Sequence, residues 1–323
     1  MGIKRLNRFF LDNCNKRSIY KLHLKALSGK TLVIDTSIYM YKFAGDNALV
    51  ENMYLLISIF KKYNIEPIFI FDGKPPPEKK TLLAQRKLEK MDAQKKYMEM
   101  KTLLETAQLN DAKRQEVVAD MEQLKKQFIR IKDADNKKVK DLMDAYGVSY
   151  YDADGEADAL CCFLVKTDRA WACVSDDMDM FLYGCNRVVR HLSILNHTAV
   201  FYDTLSILSD LKLNEDMFRD ILIISGTDYN TNSETNLTET MKWFNEYNKS
   251  IRSSDCDKTF HEWLLKYTKY IKDANHLAKI KEMFCLDARN DLLSKIETGS
   301  MNSKTMNRDL IKLLLKEEGF VFV

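Results

Sequence analysis

An α/β fold, with a mostly parallel central sheet flanked by helices, is the class this sequence predicts, on three observations. Two apolar runs end abruptly in aspartate, Thr31–Asp35 (TLVID) and Pro67–Asp72 (PIFIFD). A third, Trp171–Val174, runs into Ser175-Asp176-Asp177-Met178-Asp179. None alternates apolar with polar residues, as expected of strands covered by helices on both faces. Helical patterns lie between them, from Asn52 to Tyr63 and again after Gly155. Strand, helix and strand in succession imply parallel pairing.

The composition fits a folded chain and narrows its surroundings. Of 323 residues, 46% are hydrophobic, enough for a sizeable core and too many for a disordered or fibrous protein. The net charge of +3 is uninformative, but its placement is not. Between Glu78 and Lys140 there are 17 Lys and Arg against 11 Asp and Glu, so the remainder is slightly acidic. A basic segment on an acidic body suits a polyanion-binding element beside a metal site. Seven cysteines include no C-x-x-C pair, and the first residues lack the apolar stretch of a signal peptide. Reduced thiols in an intracellular compartment, nuclear or cytoplasmic, are therefore expected. No apolar run approaches the roughly 20 residues that span a bilayer, so no membrane partner is expected. Gly2 is no myristoylation signal, because Leu6 stands where Ser or Thr is required.

All four prolines lie between Pro67 and Pro77, and Pro75-Pro76-Pro77 closes the second strand with a stiff turn. From Glu78 to Tyr146 there is then neither glycine nor proline. Leu, Met, Lys, Glu, Gln and Ala dominate this stretch, which reads as two helices broken near Asn110-Asp111, where either residue can cap. A third short helix is expected after Asp135, stopping at Gly147. By composition alone a solvated coiled-coil hairpin explains the segment equally well. Position favours more: it leaves from Asp72 at a strand's carboxyl end, where ligands bind in open α/β sheets. The expected division is an α/β core at 1–75 and 136–230, a helical cap at 76–135, and a helical region at 231–323. The last residues, Phe320 to Val323, look like a buried final strand.

Seven acids carry the chemistry: Asp35, Asp72, Glu156, Asp158, Asp177, Asp179 and Asp228. Each stands where a buried run stops or in a glycine-flanked turn, which gathers them at one edge of the sheet. Taken singly, an aspartate after a strand is usually a turn residue or helix cap. Together, crowded anions must be protonated or neutralised by cations. Oxygen-only ligands select magnesium or manganese, and no cysteine or histidine cluster has zinc spacing. Asp152-Ala153-Asp154-Gly155 is no calcium loop, since its glycine would put Tyr150 and Cys161 at ligand positions. His261-Glu262 lacks a zincin's second histidine.

The ordered set VIDTSIYMYKF, FIFDGKPPPEKKTLLAQR, DGEADALCCFLVK, SDDMDMFLYG, RHL and ISGTDYN, after a Met-Gly-Ile start, resembles flap endonucleases and related XPG-type 5′ nucleases. The resemblance covers residues 1–230 and implies a PIN-like nuclease core with an arch over the active site. It places Asp35, Asp72, Glu156 and Asp158 in a first metal cluster and Asp177, Asp179 and Asp228 in a second. It implies two Mg2+ ions, for which Mn2+ can substitute, about 4 Å apart across the scissile phosphate. Lys79 and Arg86 match the basic pair that steadies the phosphate as charge builds. Tyr41 matches the aromatic stacked on the base beside the cut, whereas Tyr39 is expected to pack. Gly2 matches the residue whose chain start lies close to the site. Lys95, Lys96, Lys113, Arg114, Lys125 and Lys126 in the arch are candidate backbone contacts.

The sequence departs from the family in three places. Asp158 stands where cellular members usually have glutamate. After Gly226-Thr227-Asp228-Tyr229 the family's glycine-rich helix–two-turn–helix is replaced by NTNSETNLTETMKWF, which puts its potassium site in question. A helix start at Thr238 to Thr240 could still offer N–H groups to phosphate. The C-terminal sliding-clamp motif is missing. Such trimmed copies resemble those of large DNA viruses. The expected activity is 5′-flap endonuclease and 5′-3′ exonuclease cleavage of DNA at single-strand/duplex junctions, by a monomer. The alternatives are a gap, bubble or Holliday-junction nuclease, an RNA-cutting member with a related sheet, and an inactive DNA-structure-binding protein.

Overall fold

The computed structural model describes residues 2–106, 110–230, 235–253, 258–286 and 305–320. The chain falls into two compact units, one of residues 1–35, 59–75 and 149–301 and the other of residues 36–58, 76–148 and 302–323.

The first unit holds a seven-stranded sheet. Its strands are β1 (Ile19–His23), β2 (Thr31–Asp35), β3 (Glu66–Phe71), β4 (Ser149–Asp152), β5 (Ala172–Val174), β6 (Arg187–Ser193) and β7 (Thr198–Asp203), in the order β1-β7-β6-β5-β2-β3-β4. Pairing is parallel from β6 through β5, β2 and β3 to β4, and β7 is antiparallel to β6 and β1. The three apolar runs are β2, β3 and β5, the centre of the parallel part, which is why they do not alternate. Strands β1, β4, β6 and β7 were not legible in this way. β4 is only four residues long, and β1 faces solvent along most of its length.

Around the sheet the first unit carries α1 (Leu6–Asn13), and later helices that complete its core. In chain order the helices between are α2 (Thr36–Gly45), α3 (Leu49–Lys62), α4 (Lys80–Thr106), α5 (Asp111–Gln127) and α6 (Asp133–Tyr146). There follow α7 (Ala157–Lys166), α8 (Thr204–Leu211), α9 (Glu215–Ser225), α10 (Leu237–Ser253), α11 (Phe260–Tyr267), α12 (Ala274–Met283) and α13 (Arg308–Glu317). One apolar cluster joins Leu6 and Phe10 of α1, Val33, Ile68 and Ile70 of the sheet, Leu160 and Leu164 of α7, and Ile221 and Leu222 of α9. Phe10 sits edge-on to Phe181 at 5.0 Å, which locks α1 into that core.

In the second unit α4 and α5 form a hairpin. Asn110 is the N-cap of α5, its side-chain oxygen accepting the Lys113 N–H at 2.9 Å. Asn110→Ala should cost about 1 kcal/mol, read as a fall in α5 protection by hydrogen exchange with the sheet unaffected. Tyr97 packs edge-on against Phe128 at 5.4 Å, and Lys90 Nζ donates to the Ile129 carbonyl at 3.1 Å. Helix α6 starts at Asp133 rather than after Asp135, because Asp135 is its third residue and accepts the Lys132 N–H at 2.8 Å. This helix groups with the second unit, as does α13, whose preceding Asn307 N–H donates to the Ala145 carbonyl at 2.7 Å. In the division expected from sequence, α6 belongs to the core and α13 to the helical region at 231–323. Phe320 follows α13 in a turn and sets its ring 5.8 Å from Tyr54. Of the strand expected over Phe320 to Val323, Phe320 is not in a strand and 321–323 lie outside the described residues, as do 231–234 in the divergent loop.

Among the described residues no helix is long and apolar enough to cross a membrane. The described cysteines are all free, and Cys161, Cys162, Cys173 and Cys185 are buried.

Candidate metal centre and nucleic-acid interface

The parallel strands point the same way, so their carboxyl ends present Asp35, Asp72, the turn before α7 and the loop after β5 at one edge. Asp35 is the last residue of β2 and is only 4% exposed. The Ser175 hydroxyl donates to Asp35 Oδ2 at 3.0 Å and accepts the Asp177 N–H at 3.1 Å. Asp177 Oδ1 in turn accepts the Asp179 N–H at 3.0 Å, so one serine registers β2 against the acidic loop. Asp72 is exposed and is held by the N–H of Ala157, the first residue of α7, at 2.8 Å. That is a carboxylate on a helix N-terminus, a favourable pairing of charge and dipole.

Glu156 is the residue just before α7 and receives a hydrogen bond from the Tyr229 hydroxyl. Burial, then the neighbouring Tyr183 and Glu156, raises the Tyr229 phenol far above its ordinary value, so it stays a donor. Asp158 is the second residue of α7 and is 8% exposed. Burial pushes its carboxyl well above the usual range, followed by repulsion from Asp35, Asp177, Asp179 and Glu156. Asp158 therefore feels the charge of four of the other six acids. Asp228 lies half-buried in the turn after α9. Asn230 fixes that turn by accepting the Thr227 N–H at 2.5 Å and donating to the Ile223 carbonyl at 2.9 Å.

Gly2 comes against the same edge. A Cβ there would lie 2.5 Å from Asp179 Oδ1 and 2.7 Å from Asp177 Oδ1, and its φ of 76° is itself a glycine conformation. The donor set is all oxygen, with Asp35, Asp158, Asp177 and Asp179 buried, which fits a hard divalent cation and not a thiophilic one. Among the described residues no group of three His, Cys, Asp or Glu side chains stands preassembled at metal-holding distance.

The candidate DNA-contacting residues of the second unit fall into two sets. Lys79 is buried at the end of a 3-10 turn begun by Pro77, and Arg86 is half-buried on α4. Tyr41 is 45% exposed on α2, with Lys90 Nζ 5.1 Å from its ring centroid. Burial, then the charges of Arg130 and Arg86, lowers the Lys90 ammonium below its ordinary value. Lys90, beside Tyr41, thus shares a cationic environment with Arg130 and Arg86, which sequence reasoning missed. The signal was the i, i+4 spacing of Arg86 and Lys90 on a helix. Tyr39, by contrast, is buried and packs 5.9 Å from Phe43.

The second set is exposed on α4 and α5. Lys96 pairs with Asp92 at 2.7 Å and Lys95 with Glu99 at 3.9 Å, local i, i+4 pairs worth little in stability. Lys125 donates to Asn47 at 2.9 Å and Lys126 pairs with Asp46 at 3.0 Å, tying α5 to the loop after α2. Lys113 and Arg114 are exposed in the first turn of α5.

Residues 1–93 match the family model of the XPG N-terminal domain, and residues 147–228 match that of the XPG I-region. All seven acids lie in these two segments, whereas the second set of arch cations lies outside them. The chain is 30% identical over 251 residues to flap endonuclease 1-A of Sorghum bicolor, which covers 71% of this chain and 62% of that protein. It is 30% identical over 285 residues to the probable RAD2-like endonuclease 369L of Invertebrate iridescent virus 6, covering 72% and 68% respectively. Against the first of these relatives the chain spans 62% of their length. The fold is similar to the catalytic core of Rad2 in complex with DNA substrate, with a TM-score of 0.64 and 19% identity over 97% of this chain and 95% of that one.

Proposed function

Because the chain belongs to the XPG family, as flap endonucleases do, we propose that it is a metal-dependent, structure-specific DNA nuclease with 5′-flap endonuclease and 5′-3′ exonuclease activity. The observation that carries this reading is Asp158, buried among Asp35, Asp177, Asp179 and Glu156 at the carboxyl edge of a parallel sheet. Two magnesium ions shared by the seven acids account for so many carboxylates brought to one edge. When bound, such ions supply Lewis-acid polarisation of a phosphodiester and activation of the attacking water.

The chain's own groups set up the rest. Ser175, the Ala157 N–H and the Tyr229 hydroxyl hold Asp35, Asp72 and Glu156 in fixed orientations before substrate arrives. Lys79 and Arg86 neutralise charge that grows on the phosphate, and Tyr41 stacks on an unpaired base at the junction. Lys95, Lys96, Lys113, Arg114, Lys125 and Lys126 are assigned weaker backbone contacts, sensitive to salt. The protein acts as a monomer on DNA in a reducing intracellular compartment, leaving a 5′-phosphate.

Arg86→Ala should lower turnover by about 100-fold while changing flap affinity by about 3-fold or less. A salt-dependent loss of affinity with turnover intact would make Arg86 an ordinary phosphate contact. The reading itself is tested with a labelled 5′-flap duplex, in magnesium, in EDTA, and with the 5′ end blocked. Magnesium-dependent cutting at the junction that the block suppresses is expected. Cutting that ignores the block would move the assignment to a gap or junction nuclease. Binding without cutting in any divalent metal would leave an inactive DNA-structure-binding protein.

A further inference from the structure

Arg190, on β6, is 5% exposed, and nothing about general phosphate binding requires a buried arginine there. Its Nη2 donates to the Asp176 carbonyl at 2.8 Å, and its Nη1 to Asn7 Oδ1 at 3.2 Å. The Tyr202 hydroxyl donates to the same Asn7 oxygen at 2.7 Å, and the guanidinium lies 5.3 Å from the Tyr202 ring centroid. One planar cation therefore joins two pieces of chain. Asp176 immediately precedes Asp177 in the acidic loop. Asn7 lies in the first turn of α1, directly after the segment that brings Gly2 against Asp177 and Asp179.

The next residue grips the same loop from its other side. The His191 N–H donates to Asp176 Oδ1 at 2.7 Å. To present that N–H, His191 adopts a left-handed conformation with φ of 53°, and the β6–β7 register shifts between Arg190 and Ser193. A non-glycine residue in that region is strained, and bulges that re-aim a group beside a site are kept at a cost. Strand β6 thus spends backbone regularity to hold both the carbonyl and the carboxylate of Asp176.

We propose that Arg190 is a positioning residue that sets the Asp177–Asp179 loop and the chain start at Gly2 in register for divalent-metal binding. It rests on the metal reading above, and it acts through Asp176 and Asn7 without touching substrate. Lysine keeps the charge but cannot reach two acceptors in one plane, so geometry and charge are separable. Arg190→Lys should weaken Mn2+ binding, followed by electron paramagnetic resonance, at least 10-fold. It should also raise the magnesium needed for half-maximal flap cleavage and shrink the rise in Tm that magnesium produces, with cleavage recovering at high magnesium.

A variant that binds Mn2+ within 2-fold of the wild type would overturn the assignment of Arg190 alone. A wild-type protein that binds no Mn2+ would overturn the metal reading beneath it. Should Arg190→Lys fail to fold, Asn7→Ala decides, read against Tyr202→Phe, because both lose the Tyr202–Asn7 hydrogen bond and only Asn7→Ala loses the arm from Arg190 to α1. About 3-fold weaker Mn2+ binding supports the register role, and unchanged binding refutes it.

Discussion

Asp177→Ala is expected to reduce cleavage of a 5′-flap substrate by at least about 10³-fold while flap DNA still binds, a loss near 4 kcal/mol in transition-state stabilisation. Asp177 is buried, so it is not a general attraction for cations in solution. Its Oδ1 accepts the Asp179 N–H, its own N–H is held by Ser175, and Gly2 lies against it. Removing its side chain takes away one negative charge and the anchor of Asp179 together. Folding should survive, because relief of repulsion around Asp158 offsets the lost hydrogen bond. Cleavage at the wild-type rate would remove Asp177 from the metal centre.

Gly73→Ala should be nearly as damaging without touching any acid. A Cβ at Gly73 would lie 1.9 Å from the Ala153 carbonyl oxygen and 2.7 Å from the Asp154 carbonyl carbon, both backbone atoms that have no rotamer to escape into. The approach is tight because pairing continues past β3 and β4. Gly73 N–H donates to the Gly155 carbonyl at 2.7 Å and Lys74 N–H to the Asp154 carbonyl at 3.0 Å. Making room must push the loop after Asp72 away from the turn that starts α7, which breaks the Asp72–Ala157 hydrogen bond. Overpacking of this kind costs about 2–3 kcal/mol, and moving a ligand by about 1 Å costs about 100-fold in rate. Expected together are a fall in Tm of about 5 °C and a comparable loss of cleavage. A variant with wild-type Tm and rate would mean that the two loops are not held together.

The parts that were legible in the sequence are those where a single residue type has few physical alternatives. Unalternated apolar runs that stop at or just before aspartates are expected to be buried parallel strands, and β2, β3 and β5 are those runs. Once the strands share a direction, their terminal acids must share an edge, as Asp35 and the 175–179 loop do. Asn110 was one of two candidate caps because only short polar side chains bond back to the N3 amide, and Asn110 is the one that does.

What was not legible depended on contacts distant in sequence. Nothing near Arg190 marks it as linked to Asn7, 183 residues away. Tyr229 could be read as following Asp228, but not as the donor to Glu156 from the start of another helix. Strands β6 and β7 gain their place by pairing with each other and with β1 and β5, and a bulge breaks the alternation that would have announced β6. The start of α6 was misplaced because Asp135 was taken as a boundary when it is the inner half of a capping pair. The association of α13 with α6 needed the fold itself.

Most direct for the metal centre is a Mn2+ titration of the wild type and of Asp158→Asn, followed by electron paramagnetic resonance in the presence of EDTA-treated flap DNA. Two Mn2+ per chain for the wild type, with weaker binding and fewer ions for the variant, is the expected result. Asparagine keeps the size of Asp158 and removes its charge, so the comparison isolates the electrostatic contribution. Equal Mn2+ binding by both proteins, or none by either, would contradict the assignment of the carboxylate edge as a metal centre.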